Sequence, residues 1–270
     1  MDNQNTQIVR DLGAALVDVR RADVDSMPFV MAPQGYAVHD LEKTLQIPTR
    51  KRGKVTMNDA SSFIDYFNIH ADESKIYGQV TPPKFVGVLN DNTESDPGWG
   101  DHRVTYDCPL SNEWQAWKAF SGQPRDQIAF SEFIESNTLD ITSQAEGEPS
   151  GADMLEVATN FKAQKKVNFA SGQRMANGGV NFVYQEEVNG TAGEKGQIKV
   201  PEVFWIGIPV FEGGAPYRIE CKLRYRLKDG NLSMWFEMVR DHKVLEAAFM
   251  DIWEEIATGT GVKIWRGTPA

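Results

Sequence analysis

The chain reads as an α+β protein, with a helix-rich N-terminal half carrying a β-hairpin and a C-terminal antiparallel sheet closed by an amphipathic helix. Three observations predict this. Tyr217, Ile219, Cys221, Leu223, Tyr225 and Leu227 alternate with Arg218, Glu220, Lys222, Arg224 and Arg226, the period-two pattern of a strand with one buried and one wet face. Val244, Leu245, Ala248, Phe249, Ile252, Trp253 and Ile256 form a helical stripe just after it. Strands and helices do not alternate regularly along the chain, which excludes a doubly wound parallel sheet.

The elements follow in order. Residues 5–22 have apolar positions at helical spacing and Arg20-Arg21 near the C-terminal end, where cations suit the helix dipole. Pro28 and Pro33 stop that helix, and residues 36–56 read as irregular or weakly stranded, with a basic cluster at Arg50–Lys54. Asn58 or Asp59 caps a helix over 58–69. Ile76–Val80 and Phe85–Leu89 are predicted strands broken by Pro82-Pro83, and Val104–Cys108 pairs with the second across a long polar loop. Ser111 or Asn112 starts a helix to Phe120, and Phe130, Phe133, Ile134 and Leu139 mark another. Ala145–Ala152 is the best loop in the chain, and a helix over 153–165 follows. Strands are expected at 181–187, 197–209, 217–228 and 232–239, the last two joined by Asp229-Gly230-Asn231. Asp241 caps the closing helix, Gly259 or Gly261 ends it, and 262–265 returns as an edge strand. The division expected is an arm over 1–26, a helical and hairpin region over 27–146, and the sheet with its helix over 147–270.

Hydrophobic residues make up 41% of 270, enough for a core, and the net charge is −10, which repels nucleic acid except at a local basic patch. The two cysteines, Cys108 and Cys221, lack CxxC spacing and read as buried thiols of a reducing compartment. The N-terminus lacks a basic start and apolar run, and no apolar run approaches the ~18 residues of a membrane span. A cytoplasmic location and no membrane partner are expected.

Chemistry-bearing motifs are few. His39, His70, His102 and His242 show no zinc spacing, so no metal or other cofactor is expected. There is no GxSxG elbow, Cys221 lies on an apolar strand face, and the pairs Gly178-Gly179 and Gly213-Gly214 precede strands rather than a phosphate-binding helix. No catalytic residue is therefore assigned. Two features stand out. Arg218, Lys222, Arg224 and Arg226 share the wet face of one strand, where they could track a phosphate backbone while Tyr217 or Trp235 stacks on bases. The plainer reading is a solvated face partly neutralised by Glu220 and Glu237. His102 lies between Asp101 and Arg103, a setting for acid–base work or, more simply, for locking a loop.

Gly98–Tyr106 with Glu113–Trp117 places three tryptophans, a histidine and an acid–base pair in twenty residues. Together with Ser62–Phe67, Phe85–Leu89 and Phe130–Glu135, these ordered motifs resemble the YfdQ-type family of phage and prophage proteins, a domain of unknown function, over roughly residues 25–266. The resemblance implies a bacteriophage or prophage origin and a host-cytoplasm location. It brings no accepted activity and no catalytic residue. The leading expectation is a non-enzymatic protein that assembles with itself as a shell or ring, motivated by tryptophan load and strand edges. The alternatives are a single-stranded nucleic-acid-binding accessory of phage recombination, and an enzyme centred on His102.

Overall fold

The structure, a computed structural model, describes residues 45–71, 74–174, 180–192, 198–228 and 231–270. The helix expected over 5–22 and the Gly178-Gly179 turn lie outside them. Residues 52–270 gather into one compact unit, and it is mixed α+β, as expected.

The first sheet of this unit has the order β1 (Gly53–Met57), β4 (His102–Tyr106), β3 (Pro83–Val88), β2 (Lys75–Val80), β13 (Ile264–Arg266). Its interior pairs are antiparallel, and both edge strands run parallel to their neighbours. Alternation sends Ile76, Phe85, Val104, Tyr106 and Ile264 to one face, where all are buried. Helix α1 (Ala60–His70), capped by Asp59 accepting the Ser62 amide, and helix α5 (Asp241–Thr260) pack there together. Phe85 stacks on Phe249 with centroids 4.7 Å apart. Two glycines permit this closeness. A Cβ at Gly78 would lie 2.4 Å from the Trp253 ring, and one at Gly259 would lie 2.8 Å from the Ile64 side chain.

The second sheet is wholly antiparallel: β5 (Arg125–Asp126), β12 (Asn231–Met238), β11 (Pro216–Lys228), β10 (Val203–Pro209), β6 (Ile141–Thr142). It draws strands from both sides of residue 147. Helices α2 (Asn112–Phe120) and α3 (Gln127–Ser136) lie on its buried face, and α4 (Gly151–Asn160) packs against α3. Ser111 caps α2 by accepting the Trp114 amide, and Ser150 and Asp153 form a reciprocal capping box on α4. Trp117 is fully buried among Phe133, Phe204 and Phe236, with its indole N–H donated to Asp140 at 2.7 Å. A third sheet joins β7 (Lys162–Arg174), β8 (Val180–Ala192) and β9 (Ile198–Lys199), with a register irregularity between Ala170 and Gln173.

Several expectations are corrected. The helix expected over 153–165 ends at Asn160, because residues from Lys162 onward pair with β8. Leu139 falls beyond the end of α3 in a 3₁₀ turn and is 98% exposed. The strand expected over 197–209 is interrupted, pairing with β8 at 198–199 and with β11 from Val203. Asp241 does not cap α5; Arg240, in the left-handed region at φ 52°, precedes the helix without a side-chain cap bond. The closing helix reaches beyond the C-terminal sheet: Trp253 lies over Gly78 and against Phe85 and Phe249, so α5 packs on the first sheet as well as touching β11. The returning edge strand at 264–266 belongs to that sheet too, paired with β2.

Candidate functional site

The second sheet has one face toward its helices and one away from them. On β11 the helix-side residues Ile219, Cys221 and Leu223 are buried, and the alternate residues Arg218, Glu220, Lys222, Arg224 and Arg226 point outward. The register brings Glu237 beside Lys222, Trp235 beside Arg224 and Ser233 beside Arg226 on β12. On β10 it brings Val203 beside Lys222, Trp205 beside Glu220 and Gly207 beside Arg218. The four cations expected on one face thus stand together, flanked by two half-buried indoles.

Each cation has a local partner or neighbour. Arg218 pairs with Glu148 and stacks its guanidinium over the Trp205 ring, 4.1 Å from the centroid. The Gln144 amide, and then Arg218, hold the Glu148 carboxyl below its ordinary pKa. Arg224 meets Glu237 at 3.4 Å, and Arg226 lies 5.4 Å from the centroid of the Trp235 ring. Lys222 faces Glu237 across the strand pair. The sequence reading missed Trp205, although its position between buried Phe204 and Ile206 is the outward signal. Tyr217 lies on the opposite face and donates its hydroxyl to Asp251; burial first, then Asp251, pushes its pKa up to about 12. It takes no part in the outward face.

His102 is buried in the first sheet at 6% exposure. Its neighbour Arg103 points to the other face of that sheet, as strand alternation requires. On the histidine's side stand Tyr66, whose hydroxyl is 3.4 Å from Nε2, and His70, whose ring centroid is 5.4 Å away. The His70 Nδ1 atom is buried without a partner. The His102 amide is held by the Asn90 side chain at 3.0 Å, which ties the loop to the strand. Cys108 and Cys221 are both free and buried, and burial raises both thiols, Cys108 to about 12. Such thiols stay protonated and unreactive at neutral pH. Among the described residues, no group of three or more His, Cys, Asp or Glu side chains stands close enough to hold a metal ion.

Two cavities walled by described residues bear on the chemistry. One, of about 230 Å³, is walled in part by Asp59, Tyr106, Glu212 and Glu255. The other, of about 180 Å³, is lined by Lys54, Lys84, Val86, Arg103, Thr105, Thr268 and Pro269.

Comparison with known protein families gives a match along nearly the whole chain. The model of a family described as "Uncharacterized conserved protein (DUF2303)" covers residues 2–269. The chain belongs to this family. The DUF2303 description assigns no chemistry, so the site residues above rest on geometry alone. No curated protein and no solved structure matches the chain. No helix among the described residues is long and apolar enough to cross a membrane.

Proposed function

We propose that this DUF2303 protein is a non-enzymatic, self-associating protein of phage or prophage origin, acting in the host cytoplasm, and that copies meet through the outward face of the second sheet. The observation that carries the reading is the composition of that face. Arg218, Lys222, Arg224 and Arg226 are interleaved with Glu148, Glu220 and Glu237 around Trp205 and Trp235. A twofold contact uses the same patch on both subunits, so the patch must complement itself. A face of one sign repels its copy, whereas alternating signs can be offset into register. Tryptophan and arginine are also enriched in protein interfaces. Indoles already half-buried against guanidinium groups have less side-chain freedom to lose on association.

Strand edges give less support than the sequence suggested. The Gly122 amide donates to Phe236, and Ser121 Oγ accepts the Met238 amide, so part of the β12 edge is satisfied internally. The reading therefore rests on the face. Gel filtration with light scattering tests it. The expected result is an oligomer at micromolar concentration that Trp235→Ala combined with Arg224→Glu reduces to monomer without loss of helical circular dichroism. A monomer-sized wild-type peak would sink the proposal.

A second reading is supported by the excess of cations over carboxylates on the same face. Single-stranded nucleic acid would lay phosphates along Arg218, Lys222, Arg224 and Arg226 and stack bases near the two indoles. Binding of labelled oligonucleotides that weakens with salt and with neutralisation of Arg224 and Arg226 is its signature. No shift at low salt removes it.

A further inference from the structure

The segment Gly98–Tyr106 builds a feature that self-association does not use. Alternation along β4 sends His102, Val104 and Tyr106 inward to the helices and Arg103 and Thr105 to the far face of the first sheet. On that face the register sets Lys54 of β1 beside Arg103, and Val86 of β3 beside Thr105, with Lys84 two residues before Val86. Thr268 and Pro269 complete the wall of the 180 Å³ cavity. Three cations line it, and no carboxylate does.

The side chains are held in place from outside the cavity. Gly100, at φ +61°, turns its carbonyl back to accept Arg103 Nε, and the Ala270 main-chain oxygen accepts Nη2. Lys84 is tethered to Asp107 at 2.9 Å. Lys54 is exposed. Between them Thr105 is 0% exposed, and its Oγ1 has no hydrogen-bond partner. A buried hydroxyl left unmatched is unusual, because it loses water and gains nothing. A donor of this kind among converging cations is what an oxyanion would satisfy.

We infer that the cavity lined by Lys54, Lys84, Arg103 and Thr105 is a binding site for a phosphate group, free or as the monoester of a small molecule. Lys54 and Arg103 supply charge, the planar guanidinium supplies direction, and the Thr105 hydroxyl donates to a phosphate oxygen. The volume accommodates one phosphate group with part of a substituent and is too small for a nucleic-acid strand. The site lies on the first sheet, so its test is independent of the Trp205–Trp235 face.

Isothermal titration of the full chain at low ionic strength, with inorganic phosphate as probe and chloride as control, decides the matter. Saturable one-to-one binding at millimolar phosphate is expected, abolished by Lys54→Gln and by Arg103→Gln. Thr105→Val keeps the shape of the side chain and should weaken binding about tenfold, the scale of one hydrogen bond to a charged partner, while melting no lower than wild type. Arg224→Gln should bind phosphate as wild type does. Glycerol phosphate against glycerol then separates the sources: tighter binding than phosphate assigns the site to an ester, equal or weaker binding to the free ion. Absence of saturable binding overturns the inference, and so does equal affinity in wild type and Thr105→Val. Lys54→Gln, a change at an exposed side chain, keeps the test sound if Arg103→Gln fails to fold.

Discussion

Trp117 shows how one side chain can hold several elements. Its ring is fully buried and meets Phe133 of α3, Phe204 of β10 and Phe236 of β12, and its N–H is matched by Asp140. Trp117→Ala should cost about 3–5 kcal/mol, as truncation of a buried tryptophan typically does, measured by urea denaturation. Trp117→Phe should cost less but leave Asp140 without its donor. Burial raises the Asp140 pKa, although the Trp117 bond opposes the shift. A raised folded-state pKa favours folding at low pH and is lost as pH rises through it. Asp140→Asn should therefore melt no lower than wild type at neutral pH, and any gain should vanish in acid. Asp59 behaves in the opposite sense. The Ser62 amide, then the Ser61 and Ser62 hydroxyls, hold its pKa below the ordinary value. Its stabilising contribution is present above the unfolded carboxylate pKa and is lost as pH falls through the folded one. Asp59→Ala should cost about 0.5–2 kcal/mol at neutral pH, the range for a helix N-cap, and the gap to wild type should close under acid. A gap independent of pH would mean that the cap is not the source.

At the scale of elements, α5 is the informative case. Its apolar stripe reads clearly in the sequence, but a stripe names no partner. Gly78 settles the matter, because only a residue without Cβ lets Trp253 approach β2 so closely. Gly78→Ala should displace Trp253 and destabilise by about 1–3 kcal/mol, the cost of overpacking. In Trp253→Ala the space is already vacated, so the double variant should be more stable than the sum of the single losses allows. Additive losses would show that the two do not touch. The β11–β12 hairpin is the opposite case. Its strict alternation gave the buried and outward faces directly, and the structure places Arg218, Lys222, Arg224 and Arg226 outward together.

At the scale of the molecule, the buried residues of both five-stranded sheets belong to one continuous cluster. It runs from Phe63, Phe85 and Phe249 through Cys108 and Phe211 to Trp117, Phe204 and Phe236. The bridge between Leu110 and Phe211 and the Ser111 bond to Pro209 tie the end of the first sheet to the second. Such a shared core predicts that the unit over 52–270 unfolds in one cooperative transition. Calorimetric and van't Hoff enthalpies should agree for it, and an excess calorimetric enthalpy would reveal two independent halves.

What the sequence determined by itself was local. Period-two and helical spacing gave the class, the hairpin, α1, α2 and the stripe of α5, since both patterns depend only on neighbours in the chain. For the same reason the caps of α1 and α2 were legible to within two residues each, Asn58 or Asp59 and Ser111 or Asn112, and the structure decides for Asp59 and Ser111. Partners were not. A strand pattern says which residues share a face but not which strand lies beside them, so Trp205 joined the basic face only through the register of β10 with β11. The end of α4 was misplaced because the pairing of Lys162 onward with β8 outweighed local helical tendency. His102 was read with its neighbour Arg103, yet consecutive strand residues face opposite sides, and folding gave His102 Tyr66 and His70 instead. Arg103 was left on the other face with Lys54 and the unmatched Thr105 hydroxyl, a grouping drawn from three strands and the segment after β13. Contacts between distant segments decide such groupings, because no spacing along the chain encodes them.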